Sequence, residues 1–215
     1  MKHLNGQVRL LAASLSAVAG FVDAIGFLLT GGFFVSFMSG NSTRLSVGLA
    51  EGASYAGLAF ALIAAFVAGV TTGALIGRKA GSRRGPAVLA FVALALALAA
   101  VLAIVAPLPA AILVLAFAMG AENTVFAQAG EVRLGLTYMT GALVKLGKAI
   151  TAALLGEDRF GWAPHLLLWL GLVAGAALGA VAFNALGPAA LWIAAAVMAA
   201  LAALAARLDL APAAA

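Results

Sequence analysis

Asp23 and Glu122 are carboxylates set inside otherwise apolar runs, about 100 residues apart. About 15 residues after each comes an aromatic–Met–hydroxyl–Gly string. The first is Phe37-Met38-Ser39-Gly40, followed by Asn41 and Ser42; the second is Tyr138-Met139-Thr140-Gly141. A base closes each cluster, Arg44 in one and Lys145 in the other, and Asn123 stands beside Glu122. Carboxylates, hydroxyls, amides and bases at matching depths can bind a small polar solute or relay a proton. They can also form ion pairs, Asp23 with Arg44 and Glu122 with Lys145, that fix a loop to its neighbouring helix. A charge deep in a bilayer costs at least about 2.5–3.5 kcal/mol, so such residues need either a partner or a task.

The rest of the chain explains why depth matters. It has 215 residues, 66% hydrophobic and 9% charged, with a mean hydropathy of +1.18. A soluble domain carries roughly 25% charged residues, so lipid must cover this surface. The net charge of +5 belongs to short basic loops and is no sign of nucleic-acid binding. With no cysteine, disulfides, thiolate nucleophiles and cysteine metal sites are excluded. His3 and His165 lack metal-ligand spacing. Neither a cofactor nor an enzymatic centre is expected, because no Ser/His/Asp set shares one depth.

A helix needs about 20 residues to cross a bilayer. Six runs qualify: Val8–Thr30, Ala53–Gly77, Ala87–Pro107, Ala110–Gln128, Trp162–Gly187 and Pro188–Arg207. The N-terminal run is too long for a signal-peptide core and reads as a retained first span. With a cytoplasmic N-terminus, 11 Lys and Arg fall inside and only Arg44 outside, which fixes the orientation by the positive-inside rule. Both termini are then cytoplasmic. An eight-span reading would move Arg78-Lys79 and Arg83-Arg84 outside and is rejected on that ground.

The expected fold is an all-α integral membrane protein, six transmembrane helices built as two inverted three-helix repeats, 1–107 and 108–215. Three spans per repeat make the second copy enter the membrane upside down. Val67-Ala68-Gly69 with Gly73-Ala74 matches Val173-Ala174-Gly175 with Gly179-Ala180, and Gly85-Pro86-Ala87 matches Gly187-Pro188-Ala189. The small-xxx-small runs Gly69/Gly73/Gly77 and Gly171/Gly175/Gly179 read as packing seams, which would serve intrachain contact or a homodimer. Each repeat should carry a re-entrant segment, 31–52 and 129–156. In the first, Phe33–Met38 descends, Ser39–Ser42 breaks and caps, and Thr43–Ala50 forms a half-helix. Non-helical backbone at that depth is tolerated only inside protein or beside a wet cavity. Asp23 lies about 22 Å along its helix and Glu122 about 18 Å along its own, which puts them on either side of the midplane.

The run Asp23-Ala24-Ile25-Gly26-Phe27, followed by Gly32-Phe33-Phe34-Val35-Ser36-Phe37-Met38-Ser39-Gly40-Asn41, resembles the signature of the YoaK family, the DUF1275 membrane proteins of bacteria. Ser39 stands where that family usually has Thr, and Ala142 replaces the Asn in the second half. The resemblance implies a bacterial inner-membrane protein of about six spans and supplies no function.

From the residues themselves, the expected function is a small-solute permease, with proton coupling as one option. Its site would lie between the half-helix N-termini at Ser39–Ser42 and Thr140–Leu143, lined by Asp23, Glu122 and Asn123 and balanced by Arg44 and Lys145. Helix N-termini and bases favour an anionic group, whereas the two acids favour a cation, so the solute's sign stays open. A channel predicts a continuous wet path. A non-transport assembly or sensing protein predicts a dry core with closed ion pairs.

Overall fold

The computed structural model describes residues 6–106, 108–128, 131–132 and 137–207, with only the backbone at 127–128 and 131–132. Ala- and Leu-rich runs lose little side-chain entropy in a helix, and eight α-helices form among these residues. They are α1 (Gly6–Thr30), α2 (Met38–Glu51), α3 (Ala56–Ala80), α4 (Arg84–Val105), α5 (Leu108–Glu122), α6 (Met139–Leu154), α7 (Ala163–Leu186) and α8 (Leu191–Ala205). Single 3₁₀ turns at Gly81–Arg83 and Gly187–Ala190 join α3 to α4 and α7 to α8. Ala127–Gln128 pairs antiparallel with Glu131–Val132. Arg133, and the stretch that should lead the second re-entrant segment in, lie outside the described residues.

Three helical runs are long and apolar enough to cross a membrane: Gly6–Thr30, Ala56–Val105 and Ala163–Ala205. The fourth and sixth expected spans come out shorter than the sequence suggests, at 15 residues each for α5 and α8. Fifteen residues cover about 22 Å, against roughly 30 Å of hydrocarbon. α5 ends at Glu122 because the next two side chains compete for its carbonyls. Asn123 Nδ2 donates to the Met119 carbonyl at 2.9 Å, and Thr124 Oγ1 to that of Ala121 at 2.8 Å. α8 starts late because Pro188 sits in the 3₁₀ turn.

The helices do not pack in chain order. α1 lies on α7, α3 on α5, and α4 on α8; α4 also meets α5 as α8 meets α1, and α2 packs on α3 as α6 does on α7. Exchanging α1–α4 with α5–α8 maps α4 on α8 onto itself and each of the other contacts onto another. Glycine makes the two long crossings close. A Cβ on Gly69 would fall on the Phe117 carbonyl, and one on Gly175 on the Ala17 carbonyl. A Cβ on Gly120 would strike the Phe66 carbonyl, and one on Gly20 the Leu172 carbonyl. The same partners recur with offsets of 100 in α1/α5 and 106 in α3/α7.

The core between these crossings is apolar, with Leu11, Leu15, Leu62, Leu96, Leu115 and Met198 at 0–2% exposure. The outside is apolar too: Leu94 is 71% exposed and Val181 65%. A surface of that kind is covered by lipid.

Candidate membrane-buried polar site

After α1 the chain reverses at Gly31 and Gly32, whose φ of 66° and 124° suit glycine. Thr30 Oγ1 ties the turn, receiving the Phe33 N–H at 2.9 Å. Residues 33–37 then run back beside α1: Phe34 stacks on Phe27 with ring centroids 5.0 Å apart, and Val35 lies against Gly26. At the end of this stretch the N–H groups of Val35 and Ser36 both donate to Asp23 Oδ1 at 2.8 Å. The carboxylate satisfies backbone donors that no sheet or helix reaches.

α2 starts at Met38, five residues earlier than the half-helix expected from Thr43. Phe37 is the N-cap and no side chain caps the helix. Ser39, Gly40, Asn41 and Ser42 therefore form its first turn and do not break it. The Ser42 hydroxyl donates back to the Met38 carbonyl at 2.8 Å. Asn41 is fully buried and grips the extended stretch with both ends of its amide. Nδ2 donates to the Phe34 carbonyl at 2.6 Å, and Oδ1 accepts the Phe34 N–H at 3.1 Å.

The second cluster repeats the first with one change of chemistry. Tyr138 is the N-cap of α6, with φ −84° and ψ 66° against −91° and 77° for Phe37. The residue before it, Thr137, donates its N–H to Asn123 Oδ1 at 3.4 Å and its hydroxyl to the same oxygen at 3.2 Å. Asn123, and not Glu122, thus occupies the place of Asp23. Ala142 stands where Asn41 does and is buried with no amide to offer.

The aromatic–Met–hydroxyl–Gly string acquires a physical reason here. A Cβ on Gly40 would strike the Phe37 ring, and one on Gly141 the Tyr138 ring. In both halves the N-cap aromatic folds over the glycine three residues on. These glycines make room for a ring; neither a tight turn nor a helix crossing requires them.

The two expected ion pairs do not form. Asp23 is taken up by backbone N–H groups, and the Arg44 guanidinium sits over the Phe33 ring, 4.5 Å from its centroid. That is a cation–π contact. Lys145 is exposed on α6, as is Thr140. Glu122 is completely buried, and neither of its carboxylate oxygens has a hydrogen-bond partner among the described residues. Its counterpart 100 residues earlier is Val22, also completely buried.

The structure groups Asp23, Asn41 and the start of α2 into one cluster, and Asn123, Thr137 and the start of α6 into another. α2 and α6 make no substantial contact with each other. Of two clefts elsewhere, one of about 440 Å³ is lined by Arg9, Asp158 and His165, and one of about 710 Å³ runs between α4 and α8. Neither is lined by Asp23, Gly40, Glu122 or Gly141. Thr137 is not singled out by the sequence, because a lone threonine between Leu136 and Tyr138 carries no signal. Its alignment with Ser36, one residue before an aromatic N-cap, could have found it.

The model of the family described as "Protein of unknown function (DUF1275)" matches residues 11–204. The chain belongs to the DUF1275 family. It is also similar to a UPF0700 transmembrane protein of Rhizobium meliloti (strain 1021), with 39% identity over 183 residues, 85% of this chain and 79% of the relative. No solved structure matches the chain. Family and relative agree with the apolar helices that this DUF1275 protein is a membrane protein.

Proposed function

We propose that this DUF1275 protein is a small-solute permease of the bacterial inner membrane, built as two inverted repeats, 1–107 and 108–215, with both termini cytoplasmic. The observation that carries the reading is the exchange of partners between halves. α1 crosses α7 through Gly175 and Ala17 just as α5 crosses α3 through Gly69 and Phe117. Each half adds an interrupted segment whose backbone is anchored to the preceding helix, at Asp23 and at Asn123. Inverted repeats with interrupted helices at mid-depth are the architecture of secondary transporters, where one half rocks against the other. α2 and α6 are then re-entrant half-helices, and solute binds near Ser39–Ser42 and Thr140–Leu143. The closed packing around Asp23 and Glu122 corresponds to an occluded state.

Alternating access is testable without knowing the solute. The chain has no cysteine, so Ser39→Cys and Thr140→Cys each introduce a single thiol. A membrane-impermeant thiol reagent is applied to right-side-out and inside-out vesicles. A permease exposes each thiol from both sides. Labelling from one side only, or from neither, would move the assignment to a static assembly protein. Steady conductance in a planar bilayer would move it to a channel.

A further inference from the structure

Glu122 is a buried acid where the fold needs none. It is the last residue of α5, completely buried, with both carboxylate oxygens lacking donors among the described residues. The equivalent position in the first half is Val22, equally buried and apolar. The anchoring task that a polar side chain performs nearby belongs to Asn123, as it belongs to Asp23 in the first half. A structural carboxylate would need hydrogen bonds or a counter-charge to be tolerated at such a place.

The elements packed on α5 are α1, α3 and α4. Their charged residues are Arg9 and Asp23, Arg78 and Lys79, and Arg84. None of them bonds to Glu122. Arg84 donates Nε to the Thr124 carbonyl at 3.1 Å. Asp23 directs its Oδ1 to two backbone N–H groups and holds the chain in place.

We infer that Glu122 is the proton-carrying carboxyl of this protein. It takes up one proton to become a neutral carboxylic acid in the closed state, and returns that proton to water when the end of α5 is wetted. The inference deepens the permease reading and rests on it for its purpose: the coupling ion is a proton, and only the second half carries it. Asp23 has no part in proton transfer.

Infrared spectroscopy of the full chain in lipid vesicles tests this with the proton itself as probe. The expected result is a carbonyl stretching band of a buried protonated carboxyl at neutral pH. That band should vanish reversibly as the pH is raised, and it should be absent from Glu122→Gln but present in Asp23→Asn. Should Glu122→Gln fail to fold, Glu122→Asp supplies the assignment by a shifted band. A wild-type protein with no such band carries an ionised Glu122, and the inference fails. A band that persists at every pH where the protein stays folded marks a carboxyl that never releases its proton, and the inference fails equally. Either failure leaves the two-sided thiol labelling of Ser39→Cys and Thr140→Cys unchanged, so it is distinguishable from failure of the permease reading.

Discussion

Asp23 and Asn123 perform the same task 100 residues apart: each accepts the N–H of the residue just before an aromatic helix N-cap, Ser36 in one case and Thr137 in the other. One is a carboxylate and the other an amide, so the task needs an oxygen acceptor and not a charge. Asp23→Asn should therefore fold normally. Asp23→Ala should lower stability by about 1–3 kcal/mol for each of the two N–H groups it strands. Thermal unfolding in detergent separates the two variants, and equal losses for Asn and Ala would sink the acceptor reading.

The two long crossings should respond alike to added bulk. Gly69→Ala and Gly175→Ala each push a methyl group onto a facing carbonyl, of Phe117 and of Ala17, and overpacking of that kind costs about 1–3 kcal/mol. Gly147 in α6 faces open space. Gly147→Ala should leave stability unchanged or raise it by up to about 1 kcal/mol through helix propensity. The same unfolding assay serves, and a clear loss for one seam glycine alone would break the equivalence of the crossings.

Asn41 gives the first half a clamp that the second lacks. Asn41→Ala leaves the Phe34 N–H and carbonyl unpaired and should cost about 1–3 kcal/mol. Hydrogen exchange at the Phe34 amide is the sharper readout. It should rise markedly in the variant, whereas exchange at Thr137 should not change.

Tyr138 covers Gly141, and the chain holds only one other tyrosine, Tyr55. In protein labelled with fluorotyrosine, Gly141→Ala should move one of the two fluorine resonances and leave the other in place. Tyr138 is 68% exposed and its ring has room to swing aside, so stability should fall by less than for Gly69→Ala. Two moved resonances would mean that the methyl group disturbs more than the ring over it.

The membrane class and the apolar helices were legible because hydrophobic run length depends on the chain alone. The matched strings around Gly40 and Gly141 were legible as a repeat. What Ser39–Ser42 would do was not. Three good capping types, Ser39, Asn41 and Ser42, suggest a helix start at Thr43, yet the ring of Phe37 over Gly40 and the reach of Asn41 to Phe34 let α2 begin at Met38. The absence of the expected ion pairs has a related reason. Charge complementarity can be read along a sequence, but the backbone N–H groups that claim Asp23, and the Phe33 ring that holds Arg44, come together only when the chain reverses at Gly31-Gly32. By residue type Glu122 matches Asp23, whereas the equivalence follows the hydrogen bond and therefore falls on Asn123.

The amide of Asn41 bears on timing as well as on strength. α2 is tied to the extended stretch before it by two hydrogen bonds from one amide, whereas α6 has Ala142 at that point and, among the described residues, is tethered through Thr137. The two segments are therefore held unequally. Under the proposed alternating access, the segment before α2 has an amide clamp to release and the one before α6 has none at Ala142, so a single substitution between the halves makes the two motions unequal in cost.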